Sequence, residues 1–420
     1  MLSKEKNDLL CRVGPGTPGS RMFRSIWLPA LPSVQLPERE AAPVRLRLLG
    51  EDLVAFRDAA GTPAIVQARC VHRGAPLFFG KVEAGGLRCP YHGWVFDTAG
   101  RCVEIPSVPD PRVVQNMRIT AYQVAEKAGV IWIYMGDGDA PALPKFPWID
   151  LPAEQRSASV WLQETNWVQG MEGEIDTAHI AILHKTKKRA TRAHRSYTFT
   201  DLAPQLSTHQ TRIGLLSIAR RNADEQFYWR VTQWMAPMFS FVPSADWPIG
   251  GRAWVPIDDE NTYTWNFAYS TAGALQPEYL AVEEAGLSFP PQREYRPIEL
   301  NNGSMIDTWL PKRRKSNDYL VDRALQREFE TTGILGINDQ DRAIQDYMGR
   351  IVDRSQEKLV VTDRVIVQAR GQLLSLLESE DALAAFRETV RDGTAYAMEP
   401  IDTVTPTANV RDFLSEVNLA

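Results

Sequence analysis

Residues 70–80, CVHRGAPLFFG, and residues 87–94, LRCPYHGW, decide how the rest of the chain is read. Cys70 and His72 form a Cys-x-His clip, and Cys89 and His92 form a Cys-x-x-His clip sixteen residues further on. Two thiolates and two imidazoles at this spacing make a metal site by residue type. A zinc site of two Cys and two His uses the same donors, but zinc fingers usually place Cys with Cys and His with His on separate elements. Here each clip holds one of each, so it can hand one ligand to each iron of a [2Fe–2S] pair carrying two Cys on one metal and two His on the other. Arg73-Gly74 and Gly93-Trp94 fit tight loops in which backbone N–H groups approach the sulfurs. Cys is scarce, and two of only four fall here.

This stretch resembles the Rieske family over about residues 25–140. Respiratory members carry further cysteines inside the two clips, joined as a disulfide. The comparable positions here hold residues such as Val71 and Tyr91. The resemblance therefore points to the oxygenase or ferredoxin branch and to the lower part of the Rieske potential range.

The chain has 420 residues, a length for two or three domains. Its 44% hydrophobic and 24% charged content is that of an ordinary globular protein. A net charge of −5 gives no reason to expect nucleic acid or an anionic membrane as partner. No run of eighteen apolar residues suggests a membrane span, and the opening MLSKEKNDLLCRVG lacks an apolar signal core. The expected location is cytoplasmic, with Cys11 and Cys102 reduced and not ligands. Of six histidines, four fall in two motifs; His194 and His209 are read as surface or packing residues.

Residues 1–40 are rich in Gly and Pro, with a short helix expected around Ser20–Trp27. This segment is expected to pack on the catalytic domain. From Pro43 the runs PVRLRLLG, EDLVAFRD and PAIVQARC mostly alternate and predict strands, with turns at Gly50-Glu51 and Ala60-Gly61-Thr62. WVFDTAGRCVEI reads as a hairpin, and AYQVAEKAGVIWIYMG adds two strands. Residues 41–140 are thus a small all-β domain carrying the clips on its loops. The proline-rich 141–152 connects to residues 153–420. There, a strand in SASVWLQETNW precedes a helix over 166–185, and SYTFTDL, TRIGLLSIARR, QFYWRVTQWMAPMFSFVP, GRAWVPI and TYTWNFAYS read as an antiparallel sheet. Residues 318–350 and 362–397 have helical periodicity. The fold class is α+β: a small all-β domain, then a helix-flanked antiparallel-sheet domain over 141–420.

Within NWVQGMEGEIDTAHIAILH, Asp176, His179 and His184 stand in the order D-x-x-H-x-x-x-x-H. On one helix Asp176 and His179 share a face. His184 is rotated about 140° from His179, so both reach one metal only if the helix ends or distorts near His184. The polar stretch from Lys185 to Lys188 makes an ending plausible. Two His and one carboxylate form the facial triad of non-haem Fe(II) oxygenases. Alone the pattern is weak; about a hundred residues after a Rieske domain it is strong.

The combination resembles the Rieske non-haem iron aromatic ring-hydroxylating oxygenases, as their alpha (oxygenase) subunit. VGPGTPGSRMFRSIWLPAL, EDLVAFRD, EGEIDTAHIAILH, WVPIDDENTYTW and MGRIVDRS are similar to the phthalate dioxygenase-like branch over nearly the whole chain. The resemblance implies that His179 and His184 bind iron. It implies that Asp176 links His179 to His92 of the neighbouring chain, the bland alternative being a helix-surface Asp. It places the third ligand on a late helix, at Asp341 in GINDQDRAIQDYMG, with Gln345 four residues on. Asp339 and Asp346 are rivals, and a solvated acidic face is the bland reading for all three.

The resemblance also implies one Rieske [2Fe–2S] cluster, one mononuclear Fe(II), and NADH used only indirectly, through a separate flavin/[2Fe–2S] reductase. It implies a homotrimer or stacked trimers, O₂, and an aromatic carboxylate substrate, either cis-dihydroxylated or O-demethylated with loss of formaldehyde. An apolar cleft is expected from Trp229, Trp234, Met235, Met238, Phe239 and Phe241, although such aromatics are equally sheet core. Arg220, Arg221, Arg230 and Arg252 are candidate carboxylate anchors. Two readings compete from outside: a Rieske electron carrier without a second iron, and a zinc hydrolase, which would leave the cluster idle.

Overall fold

The computed structural model describes residues 2–108, 110–185, 196–244, 247–328 and 331–419. Short alternating runs separated by Gly turns make small sheets, and the first 134 residues build three of them. Val44–Leu48, Glu51–Arg57 and Pro63–Gln67 form one antiparallel sheet. Lys81–Glu83, Gly86–Arg88, Val95–Phe96 and Cys102–Glu104 form a second. Between them lies a compact core of Val54, Phe56, Val66, Leu77, Leu87 and Phe96, which includes both Cys70 and Cys89. The third sheet orders Trp27–Pro32, Val130–Tyr134 and Gln123–Lys127. Its first strand comes from the N-terminal segment, and Trp132 of its second lies in the large core of the molecule.

The larger part is organised on one eight-stranded antiparallel sheet. Its order is Arg156–Gln163, Thr262–Tyr269, Ile249–Pro256, Phe239–Val242, Gln226–Met235, Gly214–Ala223 and Gln205–Gln210. Gln226–Met235 divides its edge: residues 233–235 pair with Phe239–Val242, and residues 227–231 with Ile401–Thr405. Helices Trp167–Ile175 and Arg364–Glu378 pack on it, and Ile337–Tyr347 packs on the first of them. The N-terminal helix Lys4–Cys11 packs on Arg364–Glu378 and Trp167–Ile175, and Phe23 meets Trp167 edge-on with ring centroids 4.9 Å apart.

Two expectations change. SYTFTDL is not a strand: Tyr197–Thr200 is a single helical turn, too short for its alternation to bury a face. The expected helix over 166–185 is two helices, Trp167–Ile175 and Ile180–Leu183. Asn166 caps the first by accepting a hydrogen bond from the Val168 N–H. At its other end Asp176 takes an extended conformation, and its Oδ1 accepts from the Ala178 N–H at 2.8 Å. That local bond competes with the helix and stops it. The Thr186–Lys188 part of the expected polar ending, and His194, lie outside the described residues. Among the described residues no helix is long and apolar enough to cross a membrane.

Candidate functional sites

The two clips close in the same way. The Cys70 N–H donates to the Ala75 carbonyl at 2.8 Å, and the Gly74 N–H donates to the Cys70 carbonyl at 2.9 Å. In the second clip the Cys89 N–H donates to the Trp94 carbonyl at 2.7 Å, and the Gly93 N–H to the Cys89 carbonyl at 3.1 Å. Gly74 and Gly93 both sit at positive φ, +72° and +76°, which a residue with a Cβ adopts only with strain. Each loop is therefore a Cys-x-x-x-Gly turn; only the histidine's place within it differs.

Both cysteines are buried. His72 and Tyr91 are exposed and His92 half-buried. The two imidazoles meet edge-on, centroids 4.5 Å apart, and Trp94 stacks on His72 at 4.6 Å. Burial, with the Cys89 thiol beside it, pushes the Cys70 thiol up to about 11. Two buried sulfurs side by side, with two imidazoles towards solvent, match a cluster held inside by thiolates and outside by histidines. Bound metal would hold those thiols deprotonated.

The second constellation lies at the broken helix. One ligand atom each from His179, His184 and Asp341 fall within 4.8 Å of one another. Asp341 Oδ1 is 3.6 Å from His179 Nε2 and 3.2 Å from His184 Nε2. The break after Ile175 answers the rotation problem: His179 begins the second short helix and His184 ends it, so neither is bound to the register of the first.

The far nitrogens of both rings are committed. Gln340 Nε2 donates to the Ile334 carbonyl at 2.9 Å, so its Oε1 is what faces His184 Nδ1 at 2.8 Å. His184 therefore carries its proton on Nδ1 and presents a bare Nε2 to Asp341. Asp176 Oδ2 lies 3.4 Å from His179 Nδ1 and imposes the same tautomer. Burial opposes charge on both partners. For Asp176 the hydrogen bond and charge of His179 outweigh it and hold the carboxyl below its ordinary range. For His179 the Asp176 hydrogen bond, with Asp341 close by, holds the free imidazole above its ordinary range.

Asp339 and Asp346 are not part of this group, nor of a solvated face. Asp339 is 1% exposed and accepts from Arg342 Nη1 at 3.1 Å. Asp346 is buried and accepts from the Tyr319 hydroxyl. Their register puts them on the inner face of helix Ile337–Tyr347, tied to the chain before it.

Above the triad opens a cavity of about 630 Å³. Its walls are not the expected aromatics. Trp234, Met235, Met238, Phe239 and Phe241 belong to the main core, and Trp229 stacks on Phe413 in a satellite core. The cavity instead takes Arg230, Gly250, Arg252, Trp254, Thr264 and Asn266 from the sheet, with Trp247, Tyr279 and Phe289 from loops and a helix. On Ile249–Pro256, Gly250, Arg252 and Trp254 face the cavity while Ala253 and Val255 belong to the core, the period-two alternation of a strand. Sequence shows that alternation but not which face is hollow.

Of the four arginines considered, Arg230 and Arg252 line the cavity. Arg220 donates to the Ala408 carbonyl, and the buried Arg221 donates to the carbonyls of Asp201 and Thr177. Glu174 was missed: it lines the cavity between Arg252 and the triad. Burial pushes its carboxyl up, against the pull of Arg252. Its only signal in the sequence is an acid within the D-x-x-H-x-x-x-x-H neighbourhood.

A cysteine–histidine clip pair on a small β unit, joined to a two-His, one-carboxylate pocket, defines a two-centre iron oxidoreductase. The comparisons agree. Residues 26–123 match the Rieske [2Fe-2S] domain, and residues 133–400 match a family described as LigXa C-terminal domain like. The 3-chlorobenzoate-3,4-dioxygenase oxygenase subunit of Comamonas testosteroni is 38% identical over 94% of this chain and 93% of its own. The phthalate 4,5-dioxygenase oxygenase subunit of Pseudomonas putida is 34% identical over 92% and 87%. The 5,5'-dehydrodivanillate O-demethylase oxygenase subunit of Sphingobium sp. (strain NBRC 103272 / SYK-6) is 30% identical over 96% and 87%. The fold is that of dicamba monooxygenase bound to dicamba, with a TM-score of 0.60 at 18% identity, covering 86% of this chain and 99% of that one. The chain belongs to the Rieske non-haem iron oxygenases, phthalate dioxygenase-like branch, as the oxygenase subunit of a multicomponent system.

Proposed function

We propose that this oxygenase is cytoplasmic and dihydroxylates the ring of a benzoate- or phthalate-type acid, with Cys70, His72, Cys89 and His92 holding the [2Fe–2S] cluster and His179, His184 and Asp341 holding the mononuclear iron. The observation that carries the reading is the triad at the floor of a cavity whose walls bear two buried guanidiniums, Arg230 and Arg252. A buried guanidinium is a costly charge unless it meets an anion, and a carboxylate matches its geometry. The relatives named for 3-chlorobenzoate and phthalate support the same substrate class.

Each residue then has a task. Gln340 and Asp176 hold the Nδ1 protons of His184 and His179, aiming both Nε2 atoms at one point. Trp247, Trp254 and Phe289 give the aromatic ring an apolar bed and exclude water. Arg230 fixes the carboxylate end, which sets the carbon presented to the triad, with Arg252 beside it on the cavity wall. The iron supplies O₂ activation when bound, and the cluster supplies electrons, received from a flavin/[2Fe–2S] reductase that oxidises NADH. Asp176 serves a second task across a subunit boundary, linking His179 to His92 of the adjacent chain of a trimer or of stacked trimers. Its carboxyl is about one-quarter exposed, at 23%, and so open to a neighbour.

A second reading is O-demethylation of a methoxylated aryl carboxylate. A cavity of about 630 Å³ exceeds what one benzoate ring fills, and one relative is named as an O-demethylase subunit. The experiment is NADH-coupled O₂ uptake by the anaerobically iron-loaded protein with reductase, over aryl carboxylates with and without methoxy groups. A diol without formaldehyde supports ring dihydroxylation. Formaldehyde in step with O₂ supports demethylation. Uptake with no aryl carboxylate would sink both.

A further inference from the structure

The cavity holds a buried carboxylate that ligation of the iron does not use. Glu174 is set at the foot of helix Trp167–Ile175, its side chain 13% exposed, and its Oε1 is 4.0 Å from Arg252 Nε. Arg252 is itself 6% exposed. Its guanidinium carbon lies over Phe289, 3.6 Å from the ring centroid. Its Nη1 donates to the Gly251 carbonyl and to Asn266 Oδ1. Its Nε is buried without a hydrogen-bond partner and faces Glu174. Arg230, 5% exposed, is held differently: Nη1 donates to the hydroxyls of Thr177 and Thr232, at 3.3 and 3.1 Å. Apart from the triad, the charged groups among the described residues of the wall are Arg230, Arg252, Lys185 and Glu174, and the ion-pair approach of Glu174 is to Arg252.

We propose that Glu174 is a specificity-determining residue that reserves Arg252, so that the cavity admits aryl monocarboxylates and turns away aryl 1,2-dicarboxylates. The inference rests on the reading of the cavity as an aryl-carboxylate site. One substrate carboxylate meets Arg230, whose hydrogen-bond partners among the described residues are the neutral hydroxyls of Thr177 and Thr232. A second, ortho carboxylate would have to displace Glu174 from the Nε edge of Arg252. It would also sit beside a like charge in a site with little water to screen it, a penalty that binding discriminates against strongly. Glu174 touches neither ring nor iron in this scheme; it acts by deciding which guanidinium is free.

The test is anaerobic calorimetric titration of the iron-loaded protein with benzoate and with phthalate. The wild type is expected to bind benzoate about tenfold or more tighter than phthalate. Glu174→Gln keeps the shape and removes the charge. It is expected to tighten phthalate roughly ten- to hundredfold, the range of a charge-assisted hydrogen bond regained, with benzoate moving less than about threefold. A merely structural role for Glu174 would weaken both ligands together. Adding Arg252→Gln to Glu174→Gln should abolish the phthalate gain, because no guanidinium remains to be released. Should Glu174→Gln not fold, Glu174→Asp withdraws the carboxylate from Nε and should give a smaller shift of the same sign. Equal affinity of the wild type for the two acids, or variants that leave the ratio unchanged, overturns the role of Glu174 while leaving the carboxylate reading intact. Binding of neither acid overturns both.

Discussion

Asp176 serves two short helices at once. Its carboxylate stops one helix through the Ala178 N–H and orients the first histidine of the next. Asn at this position keeps the oxygen that accepts from the Ala178 N–H and so the end of the first helix, but it puts an N–H donor where Oδ2 faces His179 Nδ1 and removes the charge. Asp176→Asn should therefore hold its full complement of iron and sulfide, measured by metal and acid-labile sulfide analysis, while turnover falls about 100-fold, at the upper end for outer-shell partners of metal-bound histidine. Gln340→Leu makes the converse case. His184 loses the acceptor for its Nδ1 proton, and a buried N–H is left unpaired. Iron affinity should drop about 10- to 100-fold with the cluster's visible spectrum unchanged. If Asp176→Asn loses its iron, or Gln340→Leu keeps wild-type affinity, the division of labour between the two partners is wrong.

The elements that carry the triad are locked to one another by polar contacts. Gln169 Nε2 donates to the Gln345 and Gly349 carbonyls, and Gln163 Nε2 donates to Gln345 Oε1 at 2.6 Å. Helix Trp167–Ile175 is tied to helix Arg364–Glu378 and to the turn at Arg354 by Glu172, which receives Arg354 Nη2 at 2.9 Å and Arg370 Nε at 2.6 Å. It also lies hard against the sheet at Gly170, where a Cβ would come within 2.1 Å of the Trp254 indole nitrogen. Gly170→Ala sets two effects in opposition. Ala favours the helix by about 1 kcal/mol, while overpacking costs about 1–3 kcal/mol. Because Trp254 is held in a strand, overpacking should win, with a lower Tm and weaker substrate binding as Trp254 is pushed into the cavity. A raised Tm would show that the helix can move off the sheet freely. The same elements mark how far the sequence could be read. The clips were legible because Cys-x-x-x-Gly repeats in both and needs no distant partner. The triad's third member was reached only through resemblance, since 157 residues separate Asp341 from His184. The helix break was half legible: the rotation of His184 demanded a distortion, but the Asp176 side chain that makes it reads equally well as a surface acid. The cavity wall was not legible, because alternation in a strand buried on both faces gives no sign of which face is hollow.

At the scale of the molecule, exposed apolar side chains stand next to the clips and on the elements that bear the triad. Val71, Phe79 and Tyr91 stand out around the clips at 47%, 69% and 57% exposure. Ile182, Ile344, Tyr347 and Met348 stand out on the helices that bear the triad. Two different apolar patches on one chain suit a heterologous, head-to-tail contact, which closes into a ring when the rotation allows. In such a ring the cluster of one subunit serves the iron of the next, the arrangement proposed for Asp176. Mixing inactive chains tests it. On the proposed ligand sets, His92→Ala removes a cluster ligand and leaves the triad, and Asp341→Ala removes a triad ligand and leaves the clips. Each homo-oligomer should be inactive. In rings co-assembled at equal ratio, a triad works when its own chain is His92→Ala and its donor chain is Asp341→Ala. Random assembly makes that true for about one site in four, so co-expressed chains should recover about a quarter of wild-type oxygen uptake. Transfer within a single chain predicts none, because no chain in the mixture carries both centres. Activity near one quarter therefore assigns the electron path to the subunit boundary, and activity at background returns it to the chain and removes the bridging task from Asp176.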